Sequence, residues 1–339
     1  MKKFYVMAAF AAAFVGMTSC NNDDDVVNNS TPNQLQVTAV GLESIQSRAG
    51  ITATSFTNGE ALGLYIYRNT AFGTAYNDAS SNIATTNVSY NEADGDWNAT
   101  SQAIILSSTV GKVYAYYPYA AGNASQDGSA IPMTVADAQG TGQSDGTVDQ
   151  DQTDYMWADP VDNISNASNT VALNMNHALA MVSFKFKQTT DATVLYPGEG
   201  KVSSIVLKNK QGKEAIKTGE AFLHIGTGAI TGGTASASGI SLTPDASATL
   251  MDVEDAAKLP RLLLYPGTVA EGDAEVTVTV DGNAYTLPIP AVQDGYVAGK
   301  NYEYTFTLKG TGLDVTEVSI KPWIKVEQPG GDIQTPDNN

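Results

Sequence analysis

The sequence predicts an all-β protein built from antiparallel β-sandwiches. Three observations point there. Short runs with apolar residues at every second position recur along the 339 residues, which is the period of a half-buried sheet. Gly, Asn, Asp and Pro punctuate those runs, as at Asp281-Gly282-Asn283, and helical periodicity is scarce. Hydrophobic content of 42% with 16% charged residues supports globular cores. The length suits two domains, at ~100–200 residues each.

The elements follow in order. Lys2 and Lys3 precede an apolar run, Phe4 to Val15, closed by Gly16-Met17-Thr18-Ser19-Cys20. This is the layout of a secretory signal peptide. Cys20 is the only cysteine and falls where the signal ends, so it is the candidate for lipid attachment. The apolar run is too short to span ~30 Å of hydrocarbon as a permanent helix. The expected mature protein is therefore soluble, tethered by lipid and free of disulfides. Residues 21 to 33 read as a polar linker. Gln34 to Ile45 alternates Leu35, Val37, Ala39 against Gln36, Thr38, Val40, a strand pattern that Ser47-Arg48-Ala49-Gly50 interrupts. Ala61 to Tyr67 sets Leu62, Leu64 and Ile66 against Gly63, Tyr65 and Tyr67. Val113 to Tyr119 is an aromatic strand ending near Pro118, and Ile131 to Val135 is a short strand among loops that run from 120 to 153. Asn176 to Ala180 reads as one helical turn.

Further strands are expected at Ala180 to Lys187, Val202 to Leu207, Leu262 to Tyr265, Glu275 to Val280, Ala284 to Ile289 and Tyr302 to Leu308. Leu313 to Trp323 is a last alternating segment. Pro322 suits its end, since proline cannot donate to a sheet ladder. The boundary between the sandwiches is placed near residue 188. The expected division is a signal peptide at 1–20, a linker and leading strand at 21–48, an N-terminal domain at 49–187 and a C-terminal domain at 188–339.

Formal net charge is -18, from 36 acidic and 18 basic residues. That argues against nucleic acid as a partner and against adsorption on anionic membrane surfaces. A catalytic constellation is missing. The G-x-S-x-G match at Gly142 to Gly146, centred on Ser144, lies in a Gly/Asp/Gln loop without the strand and helix the motif needs. His177, beside the Phe184 strand, reads as a packed, hydrogen-bonded histidine; His224 is the only other one. The acidic clusters at Asp149 to Asp154 and Asp252 to Asp255 lack a cation-loop register and read as solvated faces. No enzyme activity, metal or cofactor is expected. Tyr114, Tyr116, Tyr117 and Tyr119 offer a stacking surface for glycans, weighed against their burial as ordinary strand residues. Of the three arginines, Arg68 and Arg261 lie at or beside predicted strands, whereas Arg48 lies between Ser47 and Ala49 in a flexible segment open to a protease.

In order and spacing, these landmarks resemble the fimbrillin family, the type V pilin subunits of Gram-negative anaerobes. The resemblance runs from the signal peptide and Arg48-Ala49 through Phe56-Thr57-Asn58-Gly59-Glu60-Ala61-Leu62-Gly63-Leu64-Tyr65 and Tyr116-Tyr117-Pro118-Tyr119. It continues through Asp154-Tyr155-Met156-Trp157-Ala158 and Asn176-His177-Ala178-Leu179-Ala180 to Ala298-Gly299-Lys300-Asn301-Tyr302 and Trp323. It implies two transthyretin-like sandwich domains and a subunit exported as an outer-membrane lipoprotein, then built into a cell-surface fimbrium. An arginine-specific or trypsin-like protease would cut between Arg48 and Ala49. The removed strand would carry Leu35, Val37, Ala39, Leu42 and Ile45. A donor strand with Leu313, Val315, Val318, Ile320 and Trp323, on a segment reaching about Val326, would fill the vacated groove of another subunit. The implied partners are other pilin subunits, the outer membrane before cleavage, the protease, and a host or bacterial surface ligand. The alternative is a surface lipoprotein that binds glycans without polymerising.

Overall fold

The structure, a computed structural model, describes residues 33–42, 56, 58–77, 84–100, 102–141, 152–244, 250–292 and 294–321. Its strands are β1 (Gln36–Leu42), β2 (Ala61–Arg68), β3 (Val88–Ala93), β4 (Asp96–Ala99), β5 (Gly111–Tyr117), β6 (Ile131–Val135), β7 (Ala138–Thr141), β8 (Met156–Ala158), β9 (Val161–Ile164) and β10 (Thr170–His177). They continue with β11 (Ala180–Gln188), β12 (Val202–Asn209), β13 (Lys217–Leu223), β14 (Ile230–Ala235), β15 (Ile240–Thr243), β16 (Arg261–Leu264), β17 (Ala274–Val280), β18 (Asn283–Pro288), β19 (Asn301–Lys309) and β20 (Gly312–Lys321). The helical content of the described residues is two 3₁₀ turns, Ala121–Ser125 and Ala256–Lys258. The chain is all-β with sandwich-type packing, as the alternation predicts.

One sheet runs β2-β3-β4-β1-β10-β8-β5-β9, and β2 also pairs with β5, so the sheet curls back on itself. It encloses a core of Leu35, Val37, Leu62, Leu64, Ile66, Val113, Val171, Leu173 and Met175. The other sheets run β16-β11-β19-β20, β18-β17-β12-β15-β7 and β14-β13-β6. They enclose a second core that includes Phe184, Phe186, Phe306, Val276 and Val278. Phe186 stacks on Phe306 at 5.4 Å between ring centres.

Strands β2 and β5 serve both cores. Leu62, Leu64, Ile66, Val113 and Ala115 point into the first, while Tyr65, Tyr67, Tyr114 and Tyr116 point into the second. That two-sided burial explains why the aromatic strands lack a polar face. Three pairs in the mostly antiparallel sheets are parallel: β1 with β10, β11 with β19, and β15 with β7.

One expectation needs correction. Asn176 to Ala180 is not a helical turn, because β10 runs through His177 and β11 begins at Ala180. Val171, Leu173 and Met175 alternate into the first core, and that burial decides the conformation. The boundary placed near 188 falls at the end of β11, whose partners are β16 and β19. From one core to the next, the change comes between Met175 and Ala178. β6 and β7, although early in sequence, pair with β13 and β15.

Candidate subunit-assembly site

The candidate site is the slot that holds β1, together with the strand expected to replace it. β1 lies between β10, with which it shares six Cα pairs from Gln36↔Thr170 to Leu42↔Met175, and β4, which it meets at Val37↔Trp97. Leu35 and Val37 are buried in the first core, and Val40 packs partly buried against it. The Tyr90 hydroxyl donates to the Leu35 carbonyl at 3.0 Å and accepts from the Ile104 N–H. Burial pushes the Tyr90 phenol up to about 12, with the Ile104 N–H pulling the other way. The Leu35 N–H donates to Ile104, the Leu106 N–H to Asn33, and the Asn169 side chain to Gln34.

The register shifts between Val37 and Ala39. Thr38 is the extra residue of this bulge, and its hydroxyl donates to the Val171 carbonyl at 3.1 Å. The strict alternation expected of this segment is therefore corrected. Ala39 is exposed, and Val40, opposite Leu173, takes the inward position. Leu42 continues the pairing at Met175.

β20 ends its sheet. Nine pairs with β19 hold it, from Lys309↔Gly312 to Asn301↔Lys321, again with a register shift beside Thr316. Leu313 is buried and Val315 partly so, whereas Val318 and Ile320 are exposed. Cys20, Ile45, Arg48, Ala49, Ser144, Asp149 and Trp323 lie outside the described residues. Arg68 is held in β2, its Nε donating to the Ala75 carbonyl, and Arg261 is buried.

The other candidates resolve into packing. Tyr114 and Tyr116 are buried, Tyr117 is half-buried and donates to Glu60 at 2.7 Å, Tyr116 bonds Asn87 at 2.6 Å, and Tyr119 is half-buried. His177 is buried with Nδ1 2.9 and 3.0 Å from the two Asp154 carboxylate oxygens, the packed histidine the sequence predicts. His224 stacks on Phe72. Among the described residues no group of three or more His, Cys, Asp or Glu is placed to hold a metal ion.

An all-β body whose leading strand completes its first core is the build of a pilin-like surface protein. The fimbrillin-like family model matches residues 47–323, and the chain belongs to that family. Among solved structures, a proposed cell adhesion protein from Bacteroides ovatus ATCC 8483 is 18% identical with a TM-score of 0.60, over 87% of this chain and 99% of that one. Another, from Bacteroides uniformis ATCC 8492, is 20% identical with a TM-score of 0.56, over 86% and 97%. At those identities the likeness is one of fold. A comparison with curated proteins finds no match.

Proposed function

We propose that this chain is a structural subunit of an adhesive surface fibre. It is exported as a lipoprotein acylated at Cys20, held at the outer membrane, cut between Arg48 and Ala49, and polymerised by strand exchange. The observation that carries the reading is the placement of β1. It fills the first core with Leu35, Val37 and Val40, and its link to the rest of the chain runs through residues 43–55.

While the chain is intact, β1 docks as part of the same molecule. Once cut, it is a separate peptide, and its retention depends on concentration. Burial of its three inward side chains contributes at most roughly 4.5–9 kcal/mol gross, at ~1.5–3 for each fully buried one, and the cost of ordering a free segment offsets much of that. Departure would bare β10 and β4 as unpaired edges and open Val171 and Leu173 to water. Such an edge recruits another strand. The burial of Arg261 and the anchoring of Arg68 within β2 support a single dominant cut at Arg48.

The test is treatment of the purified chain with an arginine-specific protease. Loss of everything before Ala49 should be followed by oligomers whose size grows with protein concentration. Monomers that persist after complete cleavage would overturn the proposal.

A further inference from the structure

The two terminal strands carry the same pattern. Residues 35–42 read Leu-Gln-Val-Thr-Ala-Val-Gly-Leu, and residues 313–320 read Leu-Asp-Val-Thr-Glu-Val-Ser-Ile. Leu35 matches Leu313, Val37 matches Val315, Thr38 matches Thr316 and Val40 matches Val318. Leu42 is replaced by an isoleucine, Ile320. The match extends to backbone shape. In β1 the register shifts around Thr38, whose hydroxyl donates to a carbonyl of the neighbouring strand, Val171 at 3.1 Å. In β20 it shifts around Thr316, whose hydroxyl likewise donates to its neighbour, Thr305 at 3.3 Å. Each strand thus presents apolar side chains at the same intervals, with a threonine bulge between the second and third.

We infer that β20 of a second copy of this chain takes the place of β1 in fixed register, Leu313 at Leu35, Val315 at Val37, Thr316 at Thr38, Val318 at Val40 and Ile320 at Leu42, so that the chain polymerises with itself. This rests on the strand-exchange reading above and specifies its partner and alignment. The four positions that differ in character fall where the slot tolerates change. Gln36 and Ala39 are exposed, so Asp314 and Glu317 at those places face water. A Cβ on Gly41 would meet nothing nearer than 3.9 Å, from Asn174 Oδ1 and the Leu173 carbonyl, so Ser319 fits there. Leu42 to isoleucine keeps the volume.

Beside β19 the second half of β20 is poorly covered: Val318 is 37% exposed and Ile320 56% exposed. In the slot Val318 takes the place of Val40, which is partly buried against the first core. Val318 and Ile320 would both lie beside the buried Leu173 and Met175, so exchange gives these side chains more apolar contact than they have now. The Ser319 hydroxyl is buried beside β19 without a hydrogen-bond partner. In the slot it lies beside the Asn174 amide, which can pair it. The nine pairs with β19 are given up for the six with β10 and one with β4 that β1 now makes.

Disulfide trapping tests the register in the full chain carrying Cys20→Ser. In register, Glu317 of one copy lies opposite Ala172 of the other, as Ala39 does now, and both residues are exposed. The pair Glu317→Cys with Ala172→Cys, cut with an arginine-specific protease and oxidised, should give a covalent ladder at least about tenfold stronger than Glu317→Cys with Asn174→Cys, which reports a two-residue slip. The uncut chain should give none. Polymers that cross-link better through position 174, or through neither, would leave strand exchange standing and overturn the register. A ladder in uncut chain would overturn it too, since β1 then still occupies the slot. Absence of any polymer after complete cutting would overturn the strand-exchange reading and the register with it.

Discussion

Gln139 does the work of a missing strand. Its side chain is fully buried; its amide donates to the Leu263 carbonyl at 2.7 Å, and its carbonyl accepts from the Leu263 N–H at 2.8 Å. β16 ends its sheet, and these two bonds pair the backbone groups that its edge would otherwise leave bare. Gln139→Ala should lower stability by about 2–4 kcal/mol, the cost of unpaired buried groups, read as a lower urea midpoint. Gly63 makes a second case. A Cβ there would lie 2.1 Å from the Tyr116 ring, and that ring is fixed by hydrogen bonds to Asn87 and Asn123. Gly63→Ala should cost about 1–3 kcal/mol through overpacking, although alanine is usually the better residue in a strand. A loss below about 0.5 kcal/mol in either variant would mean that the side chains around it relax freely.

At the scale of elements, the bulge in β1 reverses the ordinary expectation for its second half. Ala39→Asp should leave stability within about 0.5 kcal/mol, as at other exposed sites. Val40→Asp should loosen β1, because it forces a charge against the first core. Hydrogen exchange of the Gln36 to Leu42 amides separates the two, with faster exchange expected only in Val40→Asp. The reverse order would return the segment to strict alternation. This also marks where the sequence stops being legible. β17, β19 and β11 from Val182 onward stand out because apolar and polar residues alternate there. The bulge at Thr38 is silent, since Ala39 and Val40 are both apolar and only the slot decides which turns inward. β10 escapes notice for another reason. Asn174 and Asn176 are poor strand formers, and it takes the burial of Leu173 and Met175 between them to hold the strand. The hairpin of β3 and β4 is polar at its turn, and the Gly-rich β14 offers little to bury, so neither has a strong periodic signal. The two strands of the proposed assembly site are readable in the sequence as apolar strands. Their common bulge shows only through the pairing.

At the scale of the whole molecule, the two cores share β2 and β5, so loss of either core strips a face from strands that the other needs. Unfolding of the described body should therefore be a single transition. Its dependence on pH follows from buried phenols in both cores. Burial raises Tyr90 in the first core to about 12, and Tyr265 and Tyr304 in the second to about 12, from an ordinary 10.0. The folded state keeps each phenol neutral while the unfolded chain begins to ionise near its ordinary value. The stabilisation is complete below about pH 10 and is lost as pH climbs from there through about 12. Each of the three should account for roughly 2–3 kcal/mol across that window. Midpoints of thermal unfolding by circular dichroism should be level up to about pH 10 and then fall steeply, with tyrosinate absorbance appearing together with the loss of structure. Tyr90→Phe should make the alkaline fall shallower by that one phenol's share, Tyr65, Tyr67, Tyr117 and Tyr296 also being raised by burial, and, because the Tyr90 hydroxyl holds the Leu35 carbonyl, should also speed departure of β1 from chain cut at Arg48. A stability curve that stays level through pH 12, or tyrosinate that forms while the fold persists, would show that these phenols are open to water.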